Sequence, residues 1–156
     1  MASLEGWSST IELHPRARWG RISLEHEIYP GCVERSLYDQ VGGATFFSNL
    51  VDVFYVGVEA DPVLRAMYPD NLSESKQHLT LFLAQYWGGP PAYMELRGHP
   101  RLRKRHEAFR INRAARDVWL AAMRAALDSV ATQLNSDQAA SLWSYFESAA
   151  NQLRNV

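Results

Sequence analysis

The sequence predicts an all-α protein from residue 36 onward, and three observations support that fold class. Apolar residues recur at intervals of three and four, which places them on one face of a helix. Ser36, Asp61 and Asn112 stand just before such stretches, where their side chains can cap a helix N-terminus. Glycine pairs interrupt the pattern at 42–43 and 88–89. We therefore expect several medium-length helices, whose apolar faces can enclose a ligand.

The first predicted helices occupy residues 36 to 69. Ser36, followed three residues later by Asp39, predicts a short helix that the glycine pair at 42–43 ends. Asp61-Pro62 is typical of an N-cap followed by proline at the first helical position, and it opens a short turn toward Tyr68-Pro69. Between them, ATFFSNLVDVFYVGVEAD carries one apolar stripe: Phe47, Leu50, Val51, Phe54 and Val58.

A further helix is predicted over residues 72–87, in LSESKQHLTLFLAQYW. One face of it carries Leu72, Ser75, Leu79, Phe82 and Tyr86, with Leu83 beside them. The sequence GGPP at 88–91 ends this helix abruptly. We expect irregular structure from there to about Pro100, followed by a short helix over residues 101–107.

Two longer helices complete the predicted domain, which we assign to residues 36–156. Asn112 caps the first, whose apolar stripe consists of Ala115, Val118, Trp119, Ala122 and Ala126. The second begins near Ser136 and carries Leu142, Trp143, Phe146, Ala149 and Leu153.

Residues 1–35 differ from the rest and are assigned to an N-terminal extension. They are too apolar for a typical disordered tail, with Trp7 and Trp19 among them. The stretch RISLEHEI alternates as a strand would, with Ile22, Leu24 and Ile28 on one side. A strand without a partner is unstable, so we expect this segment to dock on the helical body.

Composition and charge exclude several classes of protein. The net charge is −1, which does not favour a nucleic-acid partner despite the basic stretch at 97–110. The single cysteine, Cys32, cannot form an internal disulfide or a cysteine-based zinc site. No apolar run approaches the roughly 18 residues that span a membrane, and the N-terminus does not resemble a signal peptide. These features predict a cytoplasmic protein.

The basic stretch RGHPRLRKRHEAFR, at 97–110, contains the histidine with most chemical interest, His106. No HxxxH or ExxH pair lies nearby, which argues against a site for a bare metal ion. Haem brings four nitrogen ligands of its own and needs only one histidine from the protein. A lone histidine is, however, more often a surface or hydrogen-bonded residue, so both interpretations remain open at this point.

Haem also requires an apolar slot and cations for its two propionates. Arg103 and Arg105 are candidates for the propionates. Aromatic residues at helical spacing are usually plain core, and RLRKR is usually a solvated face, so spacing alone does not decide. The candidate walls of the slot are Leu79, Phe82, Tyr86, Phe54, Phe109 and Trp119.

An ordered series of motifs nevertheless resembles one family, the truncated haemoglobins, and most closely its group II members of the haemoglobin O type. The resemblance runs from about Ser36 to residue 156. It implies a two-over-two helical sandwich that encloses b-type haem. The motifs are Phe54-Tyr55, Tyr68-Pro69, YWGGP at 86–90, RGHPRLR at 97–103, His106 and Trp119.

The resemblance also implies roles for individual residues. His106 matches the proximal iron ligand, Tyr55 the distal tyrosine, and Trp119 a second distal hydrogen-bond donor. Tyr68 matches an aromatic position against the haem, and Ser75 a small distal position. Leu79, Phe82 and Leu83 match apolar positions that face the haem. His78 stands where relatives often carry a basic residue that reaches a propionate, a contact that histidine makes only when protonated.

Four functions follow as expectations. Tyr and Trp donors favour dioxygen, which carries partial negative charge on ferrous haem, and this predicts dioxygen binding for storage or sensing. Nitric oxide dioxygenation is a second possibility and requires an unidentified reductase, since the chain has no evident flavin or nicotinamide fingerprint. Peroxide turnover ranks lower because no distal base is plain. A haem-free helical interaction module would leave His106 a bystander. The resemblance further implies a homodimer.

Overall fold

The computed structural model describes residues 35–156, and these residues fold into helices joined by short loops. None of the helices in that range is both long enough and apolar enough to cross a membrane. The helices are α1 (Leu37–Val41), α2 (Gly43–Ala60), α3 (Pro62–Arg65), α4 (Ser73–Tyr86), α5 (Ala92–Arg97), α6 (Leu102–His106), α7 (Arg113–Ser129) and α8 (Ser136–Leu153), with a 3-10 turn at Ala131–Gln133.

The predicted helix starts are confirmed by their hydrogen bonds. The Ser36 hydroxyl accepts from the Asp39 backbone N–H at 3.2 Å, and Gly42 ends α1 in the left-handed conformation, with φ of 103°. The Asp61 carboxylate accepts from the backbone N–H groups of Val63 and Leu64 at 2.8 and 3.0 Å. The Asn112 side chain accepts from the Ala115 N–H at 2.9 Å. Local sequence alone therefore determines where these helices begin.

The domain is a two-over-two sandwich in which α2 and α4 form one pair and α7 and α8 the other. Helix α2 packs against both α4 and α7, and α7 packs against α8. The predicted stripe of α2 is fully buried, with Phe47, Leu50, Phe54 and Val58 each 0% exposed. The stripe therefore faces the centre of the domain, as expected from its helical spacing.

The expectation of irregular structure between residues 92 and 100 is wrong, because residues 92–97 form α5. Tyr93 is buried at 5% exposure, and the Gln85 side chain accepts from the Met94 N–H at 2.9 Å. Gly98 then ends the helix at a φ of 69°. A six-residue helix has little stability of its own, so these contacts with the rest of the domain maintain it. Local periodicity does not reveal such a helix.

The strand-like pattern of RISLEHEI and the proposed docking of residues 1–35 lie outside the described residues, apart from Arg35. Cys32 lies there too. The boundary between extension and domain therefore remains a prediction.

Helices α2 and α7 cross at close range where Gly57 faces Ala122. A Cβ atom added at Gly57 would lie 2.9 Å from the Ala122 Cβ and 3.4 Å from its Cα. Two carbon atoms without a bond between them normally stay about 3.5 Å or more apart. Because Gly57 has no side chain, the two helices can approach each other this closely.

Gly57→Ala should lower the free energy of unfolding by about 1–3 kcal/mol, because the added methyl group forces α2 and α7 apart. Helix propensity alone predicts the opposite sign, a gain of about 1 kcal/mol. Urea unfolding followed by circular dichroism measures the difference. The double variant Gly57→Ala/Ala122→Gly moves the methyl group to the other helix and should recover part of the loss. Stabilisation by Gly57→Ala alone would show that the crossing tolerates a methyl group.

Candidate functional site

A cavity of about 350 Å³ lies among α2, α4, α6, α7 and α8. This volume is within the range of small-molecule and cofactor sites. Its walls are mostly apolar, and the α3 region and α5 also contribute to them. The apolar lining includes Leu64, Met67, Leu79, Phe82, Leu83, Leu102, Phe109, Ile111, Phe146, Ala149 and Leu153.

His106 lines this cavity as the last residue of α6. Its Nδ1 lies 2.7 Å from the Leu102 carbonyl oxygen one turn earlier. A carbonyl oxygen can only accept, so Nδ1 carries the proton and donates it. The lone pair of the neutral ring is therefore on Nε2. Histidines that bind metals commonly use this arrangement, in which the second ring nitrogen is fixed by an oxygen acceptor.

Three polar aromatic side chains line the same cavity. Tyr55, on α2, is only 2% exposed, and its ring lies 5.6 Å from that of Tyr68 at an angle of 80°. Trp119 comes from α7 and is held from behind by Phe54, whose ring centroid is 5.4 Å away. Elements distant in sequence thus bring two phenols and an indole to one apolar space.

The two phenols retain their protons at neutral pH. Burial raises the pKa of Tyr55; the neighbouring Tyr68 adds to this effect, and a hydrogen bond with Ser75 partly offsets it. Burial likewise raises the pKa of Tyr68 to about 12, against a hydrogen bond with Trp119 that lowers it. An indole N–H can only donate, so Trp119 donates to the phenol oxygen of Tyr68. The Tyr68 O–H hydrogen remains available to another acceptor.

The polar rim of the cavity differs from the prediction. Arg97 and His78 both line it, and the Arg97 Nη1 lies 2.8 Å from His78 Nδ1. Desolvation by burial lowers the pKa of His78, and the Arg97 and Arg105 charges act in the same direction, while Glu74 opposes them. His78 is therefore held in its neutral form, which can accept a hydrogen bond from Arg97.

The arginines of the basic stretch have separate roles. Arg105 lines the cavity, and its guanidinium donates to the carbonyl oxygens of Pro100 and Arg97, each at 2.8 Å. Arg103 is exposed and lies outside the cavity lining formed by residues 35–156. Arg97, on the unexpected helix α5, lines the cavity instead, while a propionate contact for Arg103 stays a prediction.

Most of the other predicted site residues meet at this cavity. Phe54 and Tyr86 do not line it: Phe54 packs behind Tyr55 and Trp119, and Tyr86 packs against Phe82 and Tyr145. The lining residues that sequence analysis did not select include Met67, Tyr93, Ile111 and Tyr145. The residues that do line it as expected are Tyr55, Tyr68, Ser75, Leu79, Phe82, Leu83, Arg105, His106, Phe109 and Trp119.

These residues fit a haem group on chemical grounds. The cavity offers one histidine with a free Nε2, extended apolar walls and cationic side chains at the rim. Haem requires each of these from the protein. The fit rests on His106 in particular, because the Leu102 carbonyl already fixes the tautomer that an iron ligand needs.

Comparison with known proteins identifies close relatives. The Bacterial-like globin family model matches residues 36–154. The group 2 truncated hemoglobin YjbI of Bacillus subtilis is 44% identical over 88 residues, which are 56% of this chain and 67% of that protein.

Solved structures agree with the sequence relatives. The thermostable hemoglobin of the actinobacterium Thermobifida fusca is 49% identical, with a TM-score of 0.76 over 78% of this chain and 98% of that one. The truncated oxygen-avid haemoglobin of Bacillus subtilis is 37% identical, with a TM-score of 0.72 over 78% of this chain and all (100%) of that one. The agreement covers the whole helical domain, and the chain therefore belongs to the bacterial-like globin family, as a group II truncated haemoglobin that binds diatomic ligands through haem.

Proposed function

We propose that this chain binds dioxygen at b-type haem, with His106 as the iron ligand and with Tyr55, Tyr68 and Trp119 as a distal hydrogen-bond network. When bound, the haem supplies a ferrous iron that takes the diatomic ligand. The observation that carries the proposal is the convergence of two protonated phenols and an indole on the cavity that His106 also lines. The similar haemoglobin of Bacillus subtilis is itself described as oxygen-avid.

The distal network discriminates between ligands by charge. A haem held by His106 would polarise dioxygen more strongly than carbon monoxide, so the hydrogen-bond donors of the cavity would favour dioxygen. A hydrogen bond to a charged group contributes roughly 1.5–3 kcal/mol, or about one to two orders of magnitude in affinity. Tyr55 and Tyr68 can each donate one, and Trp119 supports Tyr68 by donating to its phenol oxygen. Dioxygen should therefore leave slowly, as in a scavenger or a sensor.

The rim of the cavity carries guanidinium groups that can bind the two haem propionates. Arg97 and Arg105 line the cavity and keep N–H groups beyond those they donate within the domain. Guanidinium groups bind carboxylates strongly because they offer paired donors. His78, held neutral beside Arg97, contributes a hydrogen-bonding ring and no charge.

Nitric oxide dioxygenation is the second candidate, and the convergence of donors that should slow dioxygen release favours it. A ligand retained by several donors stays in place long enough to meet nitric oxide. Each turnover would leave the protein ferric, so a separate reductase is required to return one electron before the next. Mixing the dioxygen complex with nitric oxide should then give the ferric protein and nitrate in equal amounts. A complex that loses dioxygen without forming nitrate would exclude this function.

The homodimer implied by the family resemblance stays a prediction.

His106→Ala should abolish histidine coordination while leaving the helical fold, because α6 is small and the main helices do not depend on it. The unmodified protein, loaded with haemin, reduced and exposed to carbon monoxide, should show a sharp histidine–haem–carbonyl Soret band. The variant should lose that band. His99→Ala removes an exposed histidine of the same basic stretch and is the matched control. An unchanged spectrum in His106→Ala would rule out His106 as the ligand.

Tyr55→Phe and Trp119→Phe should each accelerate dioxygen release by roughly 10-fold or more, since each weakens donation to a charged ligand. The two changes should be non-additive because both act on one ligand. Stopped-flow displacement of dioxygen by carbon monoxide measures the rate. Tyr86→Phe makes the same chemical change at a residue outside the cavity lining and should have little effect. Wild-type release in both distal variants would remove the hydrogen-bond network from the proposal.

The rate of dioxygen release should stay constant as the pH is raised from 7 to about 10, where free tyrosine ionises. Burial raises the pKa of both distal phenols, that of Tyr68 to about 12, so the donating form persists through this range. Dioxygen release should accelerate only above this pH range. The same displacement experiment across pH measures the profile. An increase centred below pH 10 would mean that a distal phenol ionises at an ordinary pKa.

A further inference from the structure

The helix that carries His106 is weakly held by its own hydrogen bonds. Helix α6 has only five residues and follows Arg101, which has a φ of 42°. The bond from the Glu107 N–H to the Lys104 carbonyl at its end is long, 3.4 Å. Helices of this length are not stable alone, because they form too few bonds to offset the ordering of the backbone. The position of His106 must therefore depend on contacts from elsewhere.

One external contact holds the start of α6. The Arg105 side chain donates to the carbonyl oxygens of Pro100 and Arg97, which ties the helix to the segment that precedes it. These bonds fix the direction in which the chain enters α6. They do not reach the residues that follow His106.

The Asn155 side chain holds the other end. Its Nδ2 donates to the carbonyl oxygens of His106 and Phe109, at 3.3 and 2.8 Å. Its Oδ1 accepts from the Ile111 N–H at 2.9 Å, and its own backbone N–H donates to the Ile111 carbonyl at 3.0 Å. Asn155 follows α8 and is 49 residues from His106 in sequence. It thus connects the end of α6 to the end of α8.

These bonds require the amide group. Two acceptors, the His106 and Phe109 carbonyl oxygens, need a donor, and the Ile111 N–H needs an acceptor. A carboxylate at this position has no hydrogen to donate, and it would place a negative oxygen against two carbonyl oxygens. An alanine would leave all three backbone groups without this partner.

We propose that Asn155 is a positioning residue for the iron ligand: it fixes the height and rotation of the His106 ring relative to the haem. This inference rests on the proposed function, in which His106 Nε2 binds the iron. Because α6 is short, a shift of the His106 carbonyl moves the imidazole with it. Groups that orient a metal ligand from behind commonly change metal affinity by roughly 10- to 100-fold when removed.

The test compares Asn155→Ala and Asn155→Asp with the unmodified protein after loading with haem. Resonance Raman spectroscopy of the reduced form measures the iron–histidine stretching frequency, which depends on the orientation and strain of the imidazole. Transfer of haem to excess apomyoglobin measures the rate of haem loss. Both variants should shift or broaden the iron–histidine band and accelerate haem loss by roughly 10-fold or more. Asn155→Gln keeps the amide on a longer side chain. Its iron–histidine band and its rate of haem loss should therefore lie between those of the other two variants and those of the unmodified protein.

Asn151→Ala is the matched control. Asn151 lies one turn earlier in the same chain segment, and its side chain accepts from the Arg116 Nη1 at 2.6 Å instead of contacting the α6 segment. It should keep the wild-type band and rate of haem loss. An unchanged band in all three Asn155 variants, including the one expected to fold most readily, would overturn the proposal and leave Asn155 a structural contact only. Absence of the band from the unmodified protein would instead overturn the assignment of His106, and with it this inference.

Discussion

The close approach of α2 and α7 at Gly57 and Ala122 is the constraint on which the Tyr55 and Trp119 side of the cavity depends. Tyr55 lies two residues before Gly57, and Trp119 lies three residues before Ala122. Because the helices nearly touch at the crossing, side chains just beside it meet over the same space. Phe54 fills the remaining gap against the Trp119 ring. A wider crossing would separate the donors and leave room that neither phenol nor indole could fill.

The two sides of the cavity are built on different principles. Tyr55 and Trp119 stand on α2 and α7, long helices with buried stripes, so packing determines where they lie, whereas Tyr68 follows the short helix α3. His106 ends α6, a five-residue helix held by hydrogen bonds from Arg105 and Asn155 and by the packing of Leu102 against the core. A packed interface is rigid and expensive to deform, whereas a hydrogen-bonded segment can adjust by small amounts. The cavity therefore combines a wall fixed by packing with a histidine segment held by hydrogen bonds.

How much of the structure the sequence predicts depends on how far apart in the sequence the interacting residues lie. Caps such as Ser36 and Asn112 bond to residues three positions away, so local sequence determines them. Helix α5 depends on contacts from Gln85 and on burial of Tyr93, and it was therefore missed. The identity of His106 as a site residue came from a family resemblance, since one histidine among charges has no distinctive spacing. The hydrogen bond between Asn155 and His106 joins residues 49 positions apart, and no local sequence pattern predicts it.

The pairing of the Trp119 indole with the Tyr68 phenol, which lowers the Tyr68 pKa, has a consequence for how relatives of this chain are compared. The two side chains share one donor–acceptor pair, so a substitution at either position changes the chemistry available to the other. A relative with phenylalanine in place of Tyr68 would present a free indole hydrogen, and one without the tryptophan would present a phenol that is free to rotate. Substitutions at the two positions should therefore be non-additive. Ligand preference in a homologue should therefore be inferred from the residues at 68 and 119 together, since neither alone defines the polarity of the cavity.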